Sequence, residues 1–531
     1  MILDNKNPIS KFPKGLQPIL RFVGLGNICF LICLVSLILV QLEGFANDPG
    51  VGWHLKTGEW IYSHLRVPIV DPFLAYPIQR VWISDQWFSD LLFFILFKLG
   101  SWPLLYSTVI VLFASTFLVF LYSALIKESR LFVLSAIATV LAYKIAQVHF
   151  ILRPVVFGFL MFTLVYLRLR ALIWNLKKSS LHEFLSQIKR QGVILMLIFV
   201  LWCNLHPSFV FGIVLVSAFS LTTLFELWVK RQKDVLLRYV VISLCLLPIF
   251  CTLATLCNPY GKNLHESILN LGMSSYFMSL HEEWKSPSLS EYSGQLFAFI
   301  GLVVVSMHIL SKNVRRKLNL FEISIFYFFG ILSIDAVRVL PFFAIVSTFP
   351  LVRGLGVVSR KAPKMLFKRM QGVSRLEKSN YSPQMLAIVL LCLTVLWSFS
   401  GRLPLFHGRF GPSEELFPYQ AVEFLTSYVG ENQEIPVFSN PNWGGFLTFW
   451  GKGRLKPIID DRNTLLGEAF YRKFFKASEG RVDDFKSFLS NLDVEFLLLP
   501  SRSRLSKNLQ EHPEFQILYG DDKSLVMCWK K

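Results

Sequence analysis

Few side chains in these 531 residues can do chemistry, and they are unevenly spread. Asp48, Trp53, His54, Asp71 and Asp85 fall in one stretch, residues 43–102. Further along come Arg153 before Pro154, His206 before Pro207, and Asn258 and Tyr260 around Pro259. The run Glu282, Glu283, Trp284 follows, and then Asp335 three residues before Arg338. A carboxylate can take a proton as a general base. A guanidinium can hold two phosphate oxygens at once and stabilise charge as it develops. An imidazole can donate a hydrogen bond to an oxyanion. Asp335 and Arg338, at i and i+3, share a helix face, so the first can orient the second. For each residue taken singly, the plain alternative is a snorkelling or helix-capping side chain.

These residues act together only if a frame gathers them. The chain is 53% hydrophobic with 50 Phe, more apolar than a soluble globular protein. Its first 400 or so residues repeat apolar runs of roughly 16 to 24 residues, the length that crosses a bilayer core. The class is therefore a polytopic α-helical membrane protein. A net charge of +19 would suggest nucleic acid in a soluble chain. Here Lys and Arg collect in short segments between apolar runs, as the positive-inside rule requires of cytoplasmic loops, and no nucleic-acid partner is expected. Of the eight cysteines, all but Cys528 lie in apolar runs, and no Cys-x-x-Cys occurs. They read as small hydrophobes in helix packing.

The basic clusters at 6–21, 127–130, 177–190, 230–238, 312–317 and 353–378 are all placed in the cytoplasm. Helices then thread near 22–42, 103–126, 131–148, 155–173, 193–204, 208–229, 239–257, 295–311, 319–334, 338–352 and 385–401, about eleven in all by the span-length criterion. The 22–42 run is long and lacks a small-residue cleavage site, so it reads as a retained helix. The 193–204 run is short for a span. The expected organisation is a cytoplasmic N-terminus (1–21), a membrane domain (22–402) with a first outer loop at 43–102, and an extracytoplasmic tail (403–531). This threading puts the candidate residues, with His149 and Asn204, at one face, where ionisable groups near membrane depth point to function. Within the first loop, 53–62 reads as a short helix with Trp53, Trp60 and Ile61 suited to a membrane interface. "WISDQWFSDLLFFILFKLG" reads as a helix on or in the membrane.

The tail alternates helices with short apolar strands, which predicts a small α/β domain. "IPVFSN", "LKPIIDDRN", "VEFLLLP" and "FQILYGDDKSLVMCWK" are the expected strands. Pro441 and Gly444–Gly445 are expected to shape a turn. Asp460 and Asp461 end a strand, where α/β sheets often bind ligands, although capping is the plainer role.

Asp48-Pro49-x-x-Trp53-His54-Leu55-x-x-Gly58-Glu59-Trp60, followed by Val67-Pro68-x-x-Asp71-Pro72-Phe73, resembles the first outer loop of bacterial membrane proteins of the GT-C glycosyltransferase superfamily. "ILRPVVFGFLMF", "LWCNLHPSFVFG", "CNPYGKNLH", "HEEWKSPS", "VRVLPFFAI", "NPNWGGFL" and "PIIDDRN" extend the likeness over roughly 43–530. The resemblance implies a GT-C-like fold and a polyprenyl-phosphate-linked sugar as donor at the outer face of a bacterial plasma membrane. It further implies an envelope acceptor (glycan, lipid or protein) and Asp48 at the catalytic centre. On that basis Asp48 is the expected base and Arg153 the expected phosphate ligand, with Arg338, His54 and His206 as further donor contacts. Trp53 and Trp284 can stack on a sugar face or lie along the prenyl chain. Related loops often carry a second acid two residues on and a Trp-Trp pair; Gly50 and Gly52 stand here instead, so neither a metal nor a cofactor is expected. An inactive envelope scaffold and a transporter of amphiphiles are the competing readings.

Overall fold

The computed structural model describes residues 13–17, 27–28, 31–32, 44–75, 81–176, 180–229, 235–359, 393, 410–431, 433–479 and 481–530. The expected helices at 22–42 and 385–401 lie almost wholly outside the described residues, so the count of eleven stays an expectation. Among the described residues, eight helices are long and apolar enough to cross a membrane. The chain is a multi-pass membrane protein.

Every expected span within the described residues is helical. Leu320–Asp335 is short for a span, about 24 Å at 1.5 Å per residue, against a hydrocarbon core of about 30 Å. The 193–204 run proves to be the end of a 25-residue helix, Leu181–Leu205. Its start is set by a capping box, in which the Ser180 side chain accepts from the Glu183 N–H and the Glu183 side chain reaches back. The basic residues Lys189 and Arg190, expected in a loop, are therefore inside the helix. The run Trp87–Ser129 breaks at Gly100 and Ser101, where Ser101 adopts φ +52°, and passes through a π-helical segment at Ser115–Leu121.

At one end of the bundle, four buried or half-buried charges join four helices. Arg170 pairs with Glu322 and with Glu128, the latter at 2.5 Å; Arg353 pairs with Glu322 at 2.7 Å and Glu128 at 2.9 Å. Two cations and two anions neutralise one another, the condition under which buried charge is tolerated. Arg153 lies at the other end of the helix that carries Arg170, about 25 Å away at 1.5 Å per residue.

The tail forms a five-stranded sheet of order β2-β1-β3-β5-β4: β1 Ile435–Ser439, β2 Leu455–Pro457, β3 Phe496–Pro500, β4 Phe515–Gly520 and β5 Ser524–Trp529. β2, β1 and β3 run parallel, and β5 and β4 add antiparallel. Pro441 and the Gly444–Gly445 pair do not form a turn. They belong to a helix, Pro441–Trp450, with Pro at its start and the Asn440 side chain capping it, a position where the missing proline N–H costs nothing.

The sheet domain is seated on the membrane domain. Phe73, Leu74 and Trp82 from the first loop, and Phe277, are buried in one core with Phe438, Ile459, Tyr471 and Phe485 of the tail. The Ala75 N–H donates to Pro457 O at 3.0 Å. Trp102 and Trp450 stack with centroids 6.0 Å apart. Helix Val51–His64 covers the predicted 53–62, but Trp53 and Ile61 are buried beneath neighbouring helices, so they do not serve as interface anchors.

Candidate active site

The chain enters the site through a tight turn. Asp48 Oδ1 accepts the Gly50 N–H at 2.8 Å, an Asx turn that launches helix Val51–His64. Arg153 sits in the linker ahead of helix Val155–Leu176. The residue before a proline is held out of the helical region, and the neighbouring Leu152 N–H is tied to Phe45 O at 2.8 Å. Two distant segments therefore meet as Asp48 and Arg153, with Nε 2.7 Å from Asp48 Oδ2. The contact is ionic; the Nε–H finds no aligned hydrogen-bond acceptor.

Two more carboxylates close on the same guanidinium. Glu283 Oε2 lies 3.6 Å from Nη1, and Asp461 Oδ2 lies 3.5 Å from Nη2. Glu283 also accepts from Arg338 at 2.8 Å, so it bridges both arginines. A backbone bond from the Val337 N–H to Lys285 O, 2.9 Å, sets the two short turns side by side. The Arg338 guanidinium lies 5.1 Å from the Trp284 ring centroid, within cation–π range. Burial opposes the Glu283 charge, but Arg338 and then Arg153, with His149 and His281, hold its carboxyl down to about 2. Burial also works against the Arg153 charge; Asp48, Glu283 and Asp461 outweigh it and keep the guanidinium above its ordinary value.

Asp461 follows β2 at the carboxyl end of the parallel strands. Its Oδ1 accepts the Trp53 indole N–H at 2.8 Å. Burial, then the negative charge of Asp48, raise its carboxyl to about 7, against the opposing pull of Arg153. Its neighbour Asp460 is bound by Arg462, whose Nε donates at 2.8 Å. Arg462 also donates to Asp71 at 2.6 Å and lies 4.7 Å from the Trp82 ring centroid.

The predicted residues therefore divide. Asp48, Arg153, Arg338, Glu283, Trp53 and Trp284 converge. His206 is buried nearby, and its Nδ1 accepts from the Ser208 N–H at 3.1 Å. Burial, with Arg338 and Arg153, keeps its ring neutral, so its proton sits on Nε2. His54 is buried too and neutral by burial and the nearby cations, with Nδ1 2.6 Å from Asp90 Oδ1. Among the described residues, Gln86 is the side chain that bonds Asp85, at 3.3 Å, and burial raises its carboxyl.

Others serve structure. Asp71 accepts the Leu74 N–H at 2.7 Å and pairs with Arg462, so it joins loop to tail. Asn258 is spent on its own turn, bonding Thr255 O, Gly261 O and the Tyr260 N–H. The Tyr260 hydroxyl accepts from the Ser84 N–H and donates to Pro68 O. Glu282 points away, highly exposed, and pairs with Lys285. Asp335 is exposed, and the carboxylate that holds Arg338 is Glu283. Asp90 was not anticipated at all. Among the described residues, no group of three or more His, Cys, Asp or Glu side chains is arranged to hold a metal ion.

No protein-family model and no curated protein matches the sequence. Solved structures do. The chain is similar to the apo oligosaccharyltransferase of Archaeoglobus fulgidus (TM-score 0.52, 13% identity, covering 95% of this chain and 74% of that one). It is similar to AglB of the same organism in complex with an inhibitory peptide and a dolichol-phosphate (TM-score 0.52, 12% identity, 96% and 74%). It is also similar to apo ArnT of Cupriavidus metallidurans (TM-score 0.50, 12% identity, 94% and 97%). The chain shares the fold of these solved structures, and the likeness covers nearly all of it, helical bundle and tail together.

Proposed function

We propose that this chain is a glycosyltransferase that moves a sugar from a polyprenyl-phosphate donor to an envelope acceptor at the extracytoplasmic face of a bacterial plasma membrane. One observation carries the proposal: the Arg153 guanidinium is held at a single point among the carboxylates of Asp48, Glu283 and Asp461. The reaction needs a cation where the lipid phosphate departs and a carboxylate where the acceptor loses its proton. Both lie there within a few ångströms, as one small reacting centre requires.

Asp48 fixes Arg153 through Nε. The two contacts at 3.5 and 3.6 Å leave the Nη edge loosely held, and a phosphate can take it bidentately. Arg338, backed by Trp284, offers a second cation to the same oxygens. Shared fold with an oligosaccharyltransferase seen with a dolichol-phosphate supports a polyprenyl phosphate as the lipid.

The test uses the full chain in nanodiscs with radiolabelled undecaprenyl-phosphate hexoses and envelope extract as acceptor. Wild type is expected to release undecaprenyl phosphate and label the acceptor. Arg153→Lys keeps the charge but loses the fork, and should be slower by about 10²–10³-fold, the usual cost of one transition-state donor. Equal rates for wild type and Arg153→Lys would defeat the proposal.

A further inference from the structure

We propose that the acceptor's proton is taken by Asp461, delivered from the C-terminal domain, and that Asp48 is a positioning residue for Arg153. The assignment rests on the glycosyltransferase reading and names the group that the reading leaves open.

Geometry separates the two carboxylates. Both Asp48 oxygens are engaged, Oδ1 with the Gly50 N–H at 2.8 Å and Oδ2 with Arg153 Nε at 2.7 Å. A proton arriving there would undo the contact that aims the guanidinium. Asp461 has one oxygen anchored on the Trp53 indole at 2.8 Å. Its other oxygen stands 3.5 Å from Arg153 Nη2, beyond a strong hydrogen bond. That oxygen borders Gly50: a Cβ there would come within 3.2 Å of Asp461 Oδ2 and 3.0 Å of Asp48 Oδ1. Glycine thus keeps open a gap flanked by both carboxylates, and of the two the Asp461 oxygen at its edge is the more loosely held by the guanidinium, at 3.5 Å against 2.7 Å for Asp48.

The charged and titratable groups around Asp461 come from several elements. Asp48 and Arg153 face it from the membrane domain; Asp460 and Tyr471 belong to the tail. Burial and the Asp48 charge raise its carboxyl to about 7, near the pH at which a base accepts and releases protons most effectively.

The step balances. An acceptor hydroxyl oxygen forms a bond to the anomeric carbon. The bond from that carbon to the phosphate oxygen breaks, and its electron pair stays on the phosphate, now a dianion beside Arg153 and Arg338. The hydroxyl proton passes to Asp461, which becomes neutral as the phosphate gains its charge. The summed charge of donor and base is unchanged.

The full chain in nanodiscs, with the undecaprenyl-phosphate hexose that wild type uses, provides the test. Asp461→Asn keeps shape and can keep the Trp53 hydrogen bond. Its donor Kd should stay within about threefold of wild type while kcat falls by about 10²–10⁴-fold. The acidic limb of the wild-type kcat/KM profile, half-maximal near pH 7, should be missing from the residual activity. Asp48→Asn should instead weaken donor binding and keep an acidic limb, moved to lower pH because the charge that raises Asp461 is gone. If Asp461→Asn transfers at the wild-type rate with an unchanged profile, the assignment fails while the glycosyltransferase reading stands. If wild type transfers no sugar, both fall.

Discussion

Gly52→Ala is the smallest change that should separate the tail from the site. A Cβ at residue 52 would lie 2.0 Å from the Gly445 carbonyl oxygen and 2.6 Å from its carbon. Carbon and oxygen first meet comfortably at about 3.3 Å, so the overlap is about 1.3 Å. Neither side can yield by rotating a side chain, because both are helix backbone. The facing side is equally tight, since a Cβ on Gly445 would lie 2.3 Å from Pro49 O. Helices Val51–His64 and Pro441–Trp450 must therefore part by about an ångström. That shift would stretch the 2.8 Å Trp53–Asp461 hydrogen bond past its useful range and carry Asp461 away from Arg153. Overpacking of this kind costs about 1–3 kcal/mol, and a 1 Å misplacement of a reacting group costs about 10²-fold in rate.

Hydrogen exchange reads the docking without reference to activity: the 441–450 amides should lose protection in Gly52→Ala. Transfer assays read the site. Gly272→Ala is the control, because nothing lies within 4 Å of its added Cβ, and it should match wild type in both. Full protection of 441–450 with a wild-type transfer rate in Gly52→Ala would refute the claim that this glycine contact seats the catalytic carboxylate.

Two further outcomes follow from the charges. Glu283 titrates near 4.5 when free of its partners and about 2 in the fold. Its folded value is depressed, so its stabilising share is full above about pH 4.5 and is lost as pH falls toward 2; the melting difference between wild type and Glu283→Gln should shrink over that window, and a difference constant with pH would count against the Arg153–Glu283–Arg338 bridge. Arg462→Met leaves the buried carboxylates of Asp460 and Asp71 without their cation, at about 3–5 kcal/mol; calorimetry should show a large drop in Tm, and adding Asp71→Asn should recover part of it, whereas an unchanged Tm would show that Arg462 holds neither.

What the sequence disclosed and what it withheld follow from the range of each signal. Apolar run length and basic clusters report depth in the membrane, which is why Asp48, Arg153, Glu283 and Arg338 could be placed at one end of the bundle from composition alone. They say nothing about direction around a turn. Glu282 and Glu283 are adjacent, yet one is exposed beside Lys285 and the other bridges two arginines; Asp335 likewise shares a helix-like spacing with Arg338 and loses it to Glu283, because the helix ends at Asp335. Asp90 was masked by the apolar helix around it, and only the facing His54 reveals it.

The larger omission concerns Gly50 and Gly52. Judged within the first loop, Gly50 stands where the resemblance leads one to expect a second acid and Gly52 where it leads one to expect the first of a Trp-Trp pair, and the missing acid favours an inactive scaffold. Judged in the fold, Gly52 admits the Gly445 backbone and Gly50 leaves room for the Asp461 carboxylate, which arrives from 408 residues beyond the Trp53 that holds it. A side chain at either position would close the space through which the second acid enters. Glycine in a motif is a statement about close approach, and here the approaching group replaces the one the motif lacks. A missing acid is evidence of lost chemistry only when no other part of the chain can bring one to the same point.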